Sequence, residues 1–400
     1  MSERDFTSRW LTRYAWLCAV ATLGLIGMGG LVTSRGAGLA VPDWPTSYGY
    51  NMFALPIHLW QGGIFYEHTH RLWATVVGTL VVFLTRWLGG YRSRPALAWI
   101  GLGEVVAGLM LVWLKPELKG AGHFLAGIGG VVLAAAAVWA RNDPAPGRLP
   151  ALGWAAFWLV QLQGLLGGLR VVWLADELGV VHGVLAQGFL LLLVVVAVQS
   201  SRWWRELTRP DTPRTLRALF GLATGLVVLQ LVLGAAMRHR HAGLAVPDFP
   251  LAYGRVWPRL DAGAIADYNR RRIEVHAARP IAAADVVLHM SHRLGAVAAV
   301  WAVGAAWWHA RRRLPAGDPV RRGAAAWLAL VGTQFTLGAL TVWTNKAADV
   351  ATLHVVVGSL ALVTGGVLCV LAMRRPVEAA EPSQAPVLNR TGGPAWSAAP

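Results

Sequence analysis

Cysteine is almost missing from this chain: 400 residues contain two, Cys18 and Cys369, and both fall within apolar stretches. That excludes a disulfide framework and a CxxC metal site. Charge is scarce too, at 14% of residues against 56% hydrophobic, with a mean hydropathy of +0.48. A soluble globular domain is thereby excluded. Acidic residues are the rarer sign, 20 against 36 Lys and Arg, which leaves a net charge of +16. Such an excess could serve nucleic acid, but its distribution along the chain argues for a membrane.

What is present is a series of apolar stretches longer than the roughly 18–20 residues that cross a bilayer as a helix. Spans are predicted at 12–33, 70–90, 96–114, 123–141, 151–173, 182–200, 215–237, 289–310, 323–344 and 354–373. The expected fold is all-α, a polytopic membrane protein with about ten transmembrane helices. The first span follows Arg4, Arg9 and Arg13 and could be read as a signal peptide. Its apolar run exceeds the roughly 7–15 residues of such a segment, and no small-residue cleavage pattern follows closely. Arginines recur after alternate spans: Arg86, Arg92 and Arg94; Arg141 and Arg148; Arg202, Arg205, Arg209 and Arg214; Arg311, Arg312, Arg313, Arg321 and Arg322; Arg374 and Arg375. They fall on one side, which the positive-inside bias makes cytoplasmic, with both termini. The loop 238–288 is also basic but lies opposite; long loops weigh less in that rule. The tail 377–400, rich in Ala, Pro and Ser, reads as disordered. Its Asn389-Arg390-Thr391 sequon means little on the cytoplasmic side.

The chain repeats itself. Gly38-Leu39-Ala40-Val41-Pro42-Asp43-Trp44-Pro45 returns as Gly243-Leu244-Ala245-Val246-Pro247-Asp248-Phe249-Pro250, and Tyr48-Gly49 returns as Tyr253-Gly254. Each copy then reaches a histidine-rich helix start, Glu67-His68-Thr69-His70-Arg71 and His289-Met290-Ser291-His292-Arg293. This is a tandem duplication. Gln163 and Gly167 match Gln334 and Gly338, which sets His182 opposite His354 and leaves the helix pair within 92–148 without a counterpart. The expected units are therefore 1–201, four helices plus the insertion 92–148; 202–376, four helices; and the tail 377–400. The repeats are parallel, related by an axis along the membrane normal.

Of twelve histidines, the duplication pairs four, His70 with His292 and His182 with His354, all at the outer ends of even-numbered spans. Two imidazoles at one level of a four-helix unit suit a planar macrocycle with axial ligands on both faces. Zinc suits the set poorly, because each unit offers two such histidines and no thiolate. Arg71 and Arg293 are placed to pair with the macrocycle's propionates. Glu67 shares a helical face with His70 and is the candidate acid–base group; the second copy has His289 there. His123 opens the fourth span without a duplicated partner. Glu104 lies within a span, where a carboxylate is either functional or a docking group for the inserted pair. His68, His239, His241, His276 and His309 read as surface or loop residues.

The GxGLxxPDWP loop, the Glu-x-x-His-Arg helix start and the matching His-Arg helix together resemble haem A synthase of the CtaA type, over roughly 14–90 and 150–373. The resemblance implies two pseudo-symmetric four-helix bundles, each with a histidine pair. His292 and His354 would hold a resident haem b. His70 and His182 would bracket the substrate haem O, and Glu67 would be the essential carboxylate. The activity implied is an oxidoreductase that oxidises the C8 methyl of haem O to the formyl of haem A, with water as oxygen source, for cytochrome oxidase biogenesis. The implied setting is a bacterial plasma membrane, with haem O synthase and oxidase assembly factors as partners; a homo-oligomer stays open. The cysteine pair of many bacterial relatives is missing. The rival readings are a non-enzymatic di-haem b-type electron carrier, which needs no carboxylate at Glu67, and a haem transporter, which needs polar residues at the midplane.

Overall fold

The computed structural model describes residues 3–138, 142–208, 210–272 and 279–374. His276, Arg141, Arg209, Arg375, the side chain of Arg4 and the tail 377–400 lie outside the described residues. Among the described residues twelve α-helices form: α1 (Glu3–Ser34), α2 (Gly62–Gly89), α3 (Arg94–Leu114), α4 (Lys119–Ala137), α5 (Leu149–Trp173), α6 (Asp176–Ser200), α7 (Arg202–Glu206), α8 (Arg214–His239), α9 (Ala262–Arg270), α10 (Ala283–Arg313), α11 (Pro319–Trp343) and α12 (Ala348–Met373). Nine described segments are long and apolar enough to cross a membrane. One of them, Gly62–Leu114, is 53 residues long and contains both α2 and α3. The chain turns between those two at Gly90, whose φ of 56° a side chain would resist. Ten membrane-length helices therefore stand where ten spans were predicted.

Local chemistry fixes several ends. Pro150 and Pro319 open α5 and α11, where a missing N–H costs nothing. The Asp318 carboxylate caps α11 by accepting from Val320 N at 2.8 Å. Helices α1, α2, α5 and α6 pack as one ring, and α8, α10, α11 and α12 as a second. The rings are filled by Cys18, Leu84, Leu88 and Leu193 in the first and by Phe220, Trp327 and Leu368 in the second. They meet along α1–α12, α6–α8 and α6–α12. There the Ser359 hydroxyl donates to Gln187 Oε1 at 3.1 Å, a buried polar bond between halves.

The inserted helices α3 and α4 form a hairpin beside α2. Gly101 and Gly108 of α3 face Gly129 and Gly122 of α4 so closely that the backbones touch. A Cβ on Gly108 would lie 2.5 Å from the Gly122 carbonyl oxygen. This is how helices associate in lipid, where packing replaces the hydrophobic drive. Gly108→Val is expected to lower the thermal midpoint of the detergent-purified protein, at a cost of about 1–3 kcal/mol. An unchanged midpoint would show that the pair is not close-packed.

Four helices begin earlier than the apolar runs indicated. Polar first-turn residues such as Asp176, Glu177 and Asp349 interrupt the hydropathy but not the helix. As a result His70, His182, His292 and His354 lie six to nine residues inside α2, α6, α10 and α12 rather than at their outer ends. That is a depth of about 9–14 Å at the helical rise.

Candidate functional site

The repeated loop makes the same turn twice, held by the same aspartate and tyrosine bonds. Asp43 accepts from Tyr48 N at 2.6 Å and Gly49 N at 2.9 Å, and Asp248 from Tyr253 N at 2.7 Å and Gly254 N at 2.8 Å. Those turns place Tyr48 and Tyr253 at φ 52° and 54°, each followed by a left-handed glycine. The tyrosine hydroxyls donate back to Ala40 O and Ala245 O at 2.6 and 2.8 Å. Burial alone would raise the Asp43 carboxyl. The donors from Thr46, Gly49 and Tyr48 outweigh it and hold the group below the usual carboxylate range. With the folded value depressed, its contribution is full above about pH 4, the ordinary Asp value, and is lost as pH falls through the folded value. Asp43→Ala is expected to loosen the loop by about 1–2 kcal/mol, seen as faster limited proteolysis between 35 and 61.

The helix that follows each loop ties it down. Arg71 donates to the carbonyls of Asp43 (2.6 Å), Thr46 (3.2 Å) and Val41 (2.8 Å). Arg293 donates to the equivalent carbonyls of Asp248 (2.7 Å), Leu251 (2.9 Å) and Val246 (3.0 Å). The residue four before each arginine receives the loop amide: Val41 N donates to Glu67 Oε2 at 2.9 Å, and Val246 N to His289 Nδ1 at 3.2 Å. Glu67 and His289 are both buried, 4% and 3% exposed. Only the carboxylate has a second oxygen, and Arg71 donates to it at 2.8 Å. The mismatch read in the sequence is thus a real exchange of groups at one spot in the fold.

The four duplicated histidines form two pairs, one in each ring. The His292 and His354 rings lie edge to face, with centroids 6.5 Å apart and planes at 72°. His70 and His182 lie within electrostatic reach of each other. Each ring rests on a glycine of the preceding helix: a Cβ would meet Cε1 at 3.1 Å on Gly29, 3.3 Å on Gly167, 3.4 Å on Gly234 and 3.3 Å on Gly338. Each ring also feels the backbone of the residue four before that glycine, Leu25, Gln163, Gln230 or Gln334, short of full hydrogen-bond geometry. All four Nδ1 atoms are enclosed without a partner, and so are side-chain atoms of Gln163, Gln230 and Gln334.

A planar metal macrocycle fits this arrangement. Two metal–nitrogen bonds of about 2 Å plus two half-rings of about 1.2 Å put bis-imidazole centroids about 6 Å apart, near the separation of His292 and His354. Ligand histidines also turn their other nitrogen toward a backbone carbonyl, which fixes the tautomer. The glycines leave room for rings that a side chain would displace.

Comparison with known proteins shows the family. Residues 123–365 match the COX15-CtaA family model, described as cytochrome oxidase assembly protein. The chain belongs to the COX15-CtaA family. A haem A synthase of Symbiobacterium thermophilum is 34% identical over 231 residues, 55% of this chain and 67% of that protein. Haem A synthases of Geobacillus kaustophilus and Sphingopyxis alaskensis are each 26% identical over 92% of this chain, covering 95% and 93% of theirs.

Within this COX15-CtaA member, several residues lie elsewhere than the sequence suggested. His68 is no surface residue: it is fully buried, edge-on to Trp60 at 4.7 Å, with Nδ1 3.3 Å from the Ser47 hydroxyl. His239 is not in a loop either. It ends α8 and crosses to the other half, where its ring crowds Gly179 of α6 and stands 4.0 Å from Asp176. Beside it Arg238 donates to Gly30 O and to Ser34 Oγ of α1. His241 and His309 are exposed, as expected. His123 is exposed on α4, while its neighbour Phe124 packs edge-on against Trp44 of the loop at 5.7 Å. Glu104 docks the hairpin by accepting from Gln161 of α5 at 2.9 Å. The repeated Gln-x-x-x-Gly spacing, present at Gln230-Gly234 as well as at Gln163-Gly167 and Gln334-Gly338, is a signal for the pockets that the sequence carried.

Proposed function

We propose that this COX15-CtaA protein is a haem A synthase of a bacterial plasma membrane, with both termini cytoplasmic. In this reading the C-terminal half holds a resident haem b between His292 and His354. The N-terminal half receives haem O between His70 and His182, with Glu67 as the catalytic carboxylate. The observation that carries it is the shared loop-and-arginine frame of the two halves, in which the group receiving the loop amide is a carboxylate in one and an imidazole in the other. Two like pockets bind like macrocycles, and one alone has a carboxylate four residues from its loop-tying arginine.

The chemistry follows from the substrate. Converting the C8 methyl of haem O to formyl takes up one water and releases four electrons and four protons. A bound haem b supplies one-electron transfer between the substrate and an external acceptor. The protein's own part is orientation and proton handling. Glu67 is held in place by Val41 N–H and Arg71, and each carboxylate oxygen keeps lone-pair capacity to orient a water or take a proton. The apolar helices keep the rest of the site dry. Haem A leaves for cytochrome oxidase, and haem O synthase is the fitting supplier.

The test is to express the chain in cells that make haem O but no haem A, then to extract haems and weigh them. Haem A in the extract supports the reading. Haem b alone, with haem O available, would turn it toward a di-haem electron carrier.

A further inference from the structure

The polar exchange between the halves does not stop at Glu67. In the repeated loop Ser47 falls on Ala252, and in the repeated helix start His68 falls on Met290. All four side chains are buried. In the first half Ser47 Oγ lies 3.3 Å from His68 Nδ1 and shares a hydrogen bond with it. In the second, Ala252 and Met290 belong to one apolar cluster with Tyr268 of α9 and Ile281. Both members of the contact have changed together, from polar to apolar.

Stability does not account for the polar version. Replacing both partners of a buried hydrogen bond by apolar groups is close to neutral or stabilising, and the second half holds the same turn with the apolar pair. The polar pair also has an open end. His68 Nε2 is enclosed and meets no donor or acceptor among the described residues. Trp60 stands edge-on to the ring, but its indole N–H donates to Leu55 O at 3.2 Å. A buried polar atom in that position is ordinarily completed by water.

The pair stands at one end of a polar seam between loop and helix. Ser47 meets His68, Thr46 and Asp43 meet Arg71 through their carbonyls, and Val41 meets Glu67 through its amide. At about 100° per residue, the order round α2 is His68, Arg71, Glu67 and then His70. The Ser47 end adjoins the exposed Tyr48, Gly49 and Tyr50, and the Glu67 end adjoins the face that carries His70. In the second half the seam runs through Val246, Asp248, Leu251 and Arg293 in the same way, but its outer end is the apolar pair.

Resting on the haem reading above, we propose that His68, oriented by Ser47, binds water beneath the N-terminal loop and admits it along this seam to Glu67. Converting the methyl to formyl takes up a water in a site otherwise walled by apolar helices. That site needs a polar way in, and the resident-haem site does not. The imidazole serves as a neutral hydrogen-bonding group, with one nitrogen held by Ser47 and the other turned to the water. Ser47 and His68 are positioning residues for the water that Glu67 orients.

The experiment combines radical footprinting with turnover, on the purified full-length protein carrying its resident haem. A short X-ray pulse splits water where it lies and oxidises the side chains beside it. In wild type His68 is expected to be oxidised despite its burial, while Met290, a readily oxidised residue type, stays intact. Ser47→Ala/His68→Met places the second half's pair in the same frame, so the protein is expected to fold and keep its haem b. Position 68 should then stay unoxidised, and kcat for haem A should fall about ten- to a hundredfold with KM for haem O unchanged. Ser47→Thr, which keeps the hydroxyl, recovers most of the rate lost in Ser47→Ala. A double variant with the wild-type kcat overturns the proposal. So does a rate that falls only through a raised KM, which would make the pair part of the substrate's pocket. Haem A from a wild type whose His68 stays unoxidised sinks the water site and leaves the proposed function standing. No haem A from wild type removes the proposed function and the use made of the water, while oxidation of His68 with Met290 intact would still support the water site itself.

Discussion

His292→Ala and His354→Ala are each expected to give a protein that folds but has lost its resident haem. Outer partners of a metal ligand alone are worth roughly 10–100-fold in affinity, so removing a ligand costs at least that. Both rings lie over glycines, and the one side-chain contact given up is His354 Nε2 with Gln334 Nε2 at 3.3 Å, a small part of the α11–α12 packing. Haem absorbance per protein should therefore collapse while helical circular dichroism and the elution volume stay unchanged. The low-spin spectrum of a bis-imidazole haem should be absent even when haem is added in excess. Equal haem content in both variants and wild type would remove the C-terminal pair as ligands.

Glu67→Gln is expected to lower haem A formation by about 10²–10⁴-fold, the usual worth of a positioned acid–base group, with haem b retained in full. The amide keeps one oxygen to accept from Val41 N and the shape of the side chain, so the loop should hold. Product analysis with saturating haem O distinguishes this from weaker binding. If the rate falls only in step with affinity, Glu67 positions the substrate and does not carry protons.

Much of this was legible in the sequence because duplication and hydropathy are both long-range signals. The ten spans, the inserted pair and the partnership of His70 with His292 follow from matching two copies. Elsewhere tertiary packing overrides the local pattern. His68 looks like a solvated neighbour of a ligand, yet the loop folds over it and sets Ser47 and Trp60 against its ring. His239 ends a helix, the usual place for a wet histidine, but the second half docks there and presses it onto Gly179. Arg71 reads as a free cation one residue from a ligand, and only the loop's return path shows three carbonyls converging on it.

In this reading the two copies differ in chemistry through the exchange of Glu67 for His289. Its most direct test is the haem A content of a Glu67→His protein expressed with haem O. His289 already receives the loop amide in the second copy, so histidine at 67 should keep the loop and the resident haem b. The expected result is haem b at wild-type level and no haem A. Haem A at the wild-type level from Glu67→His would contradict it.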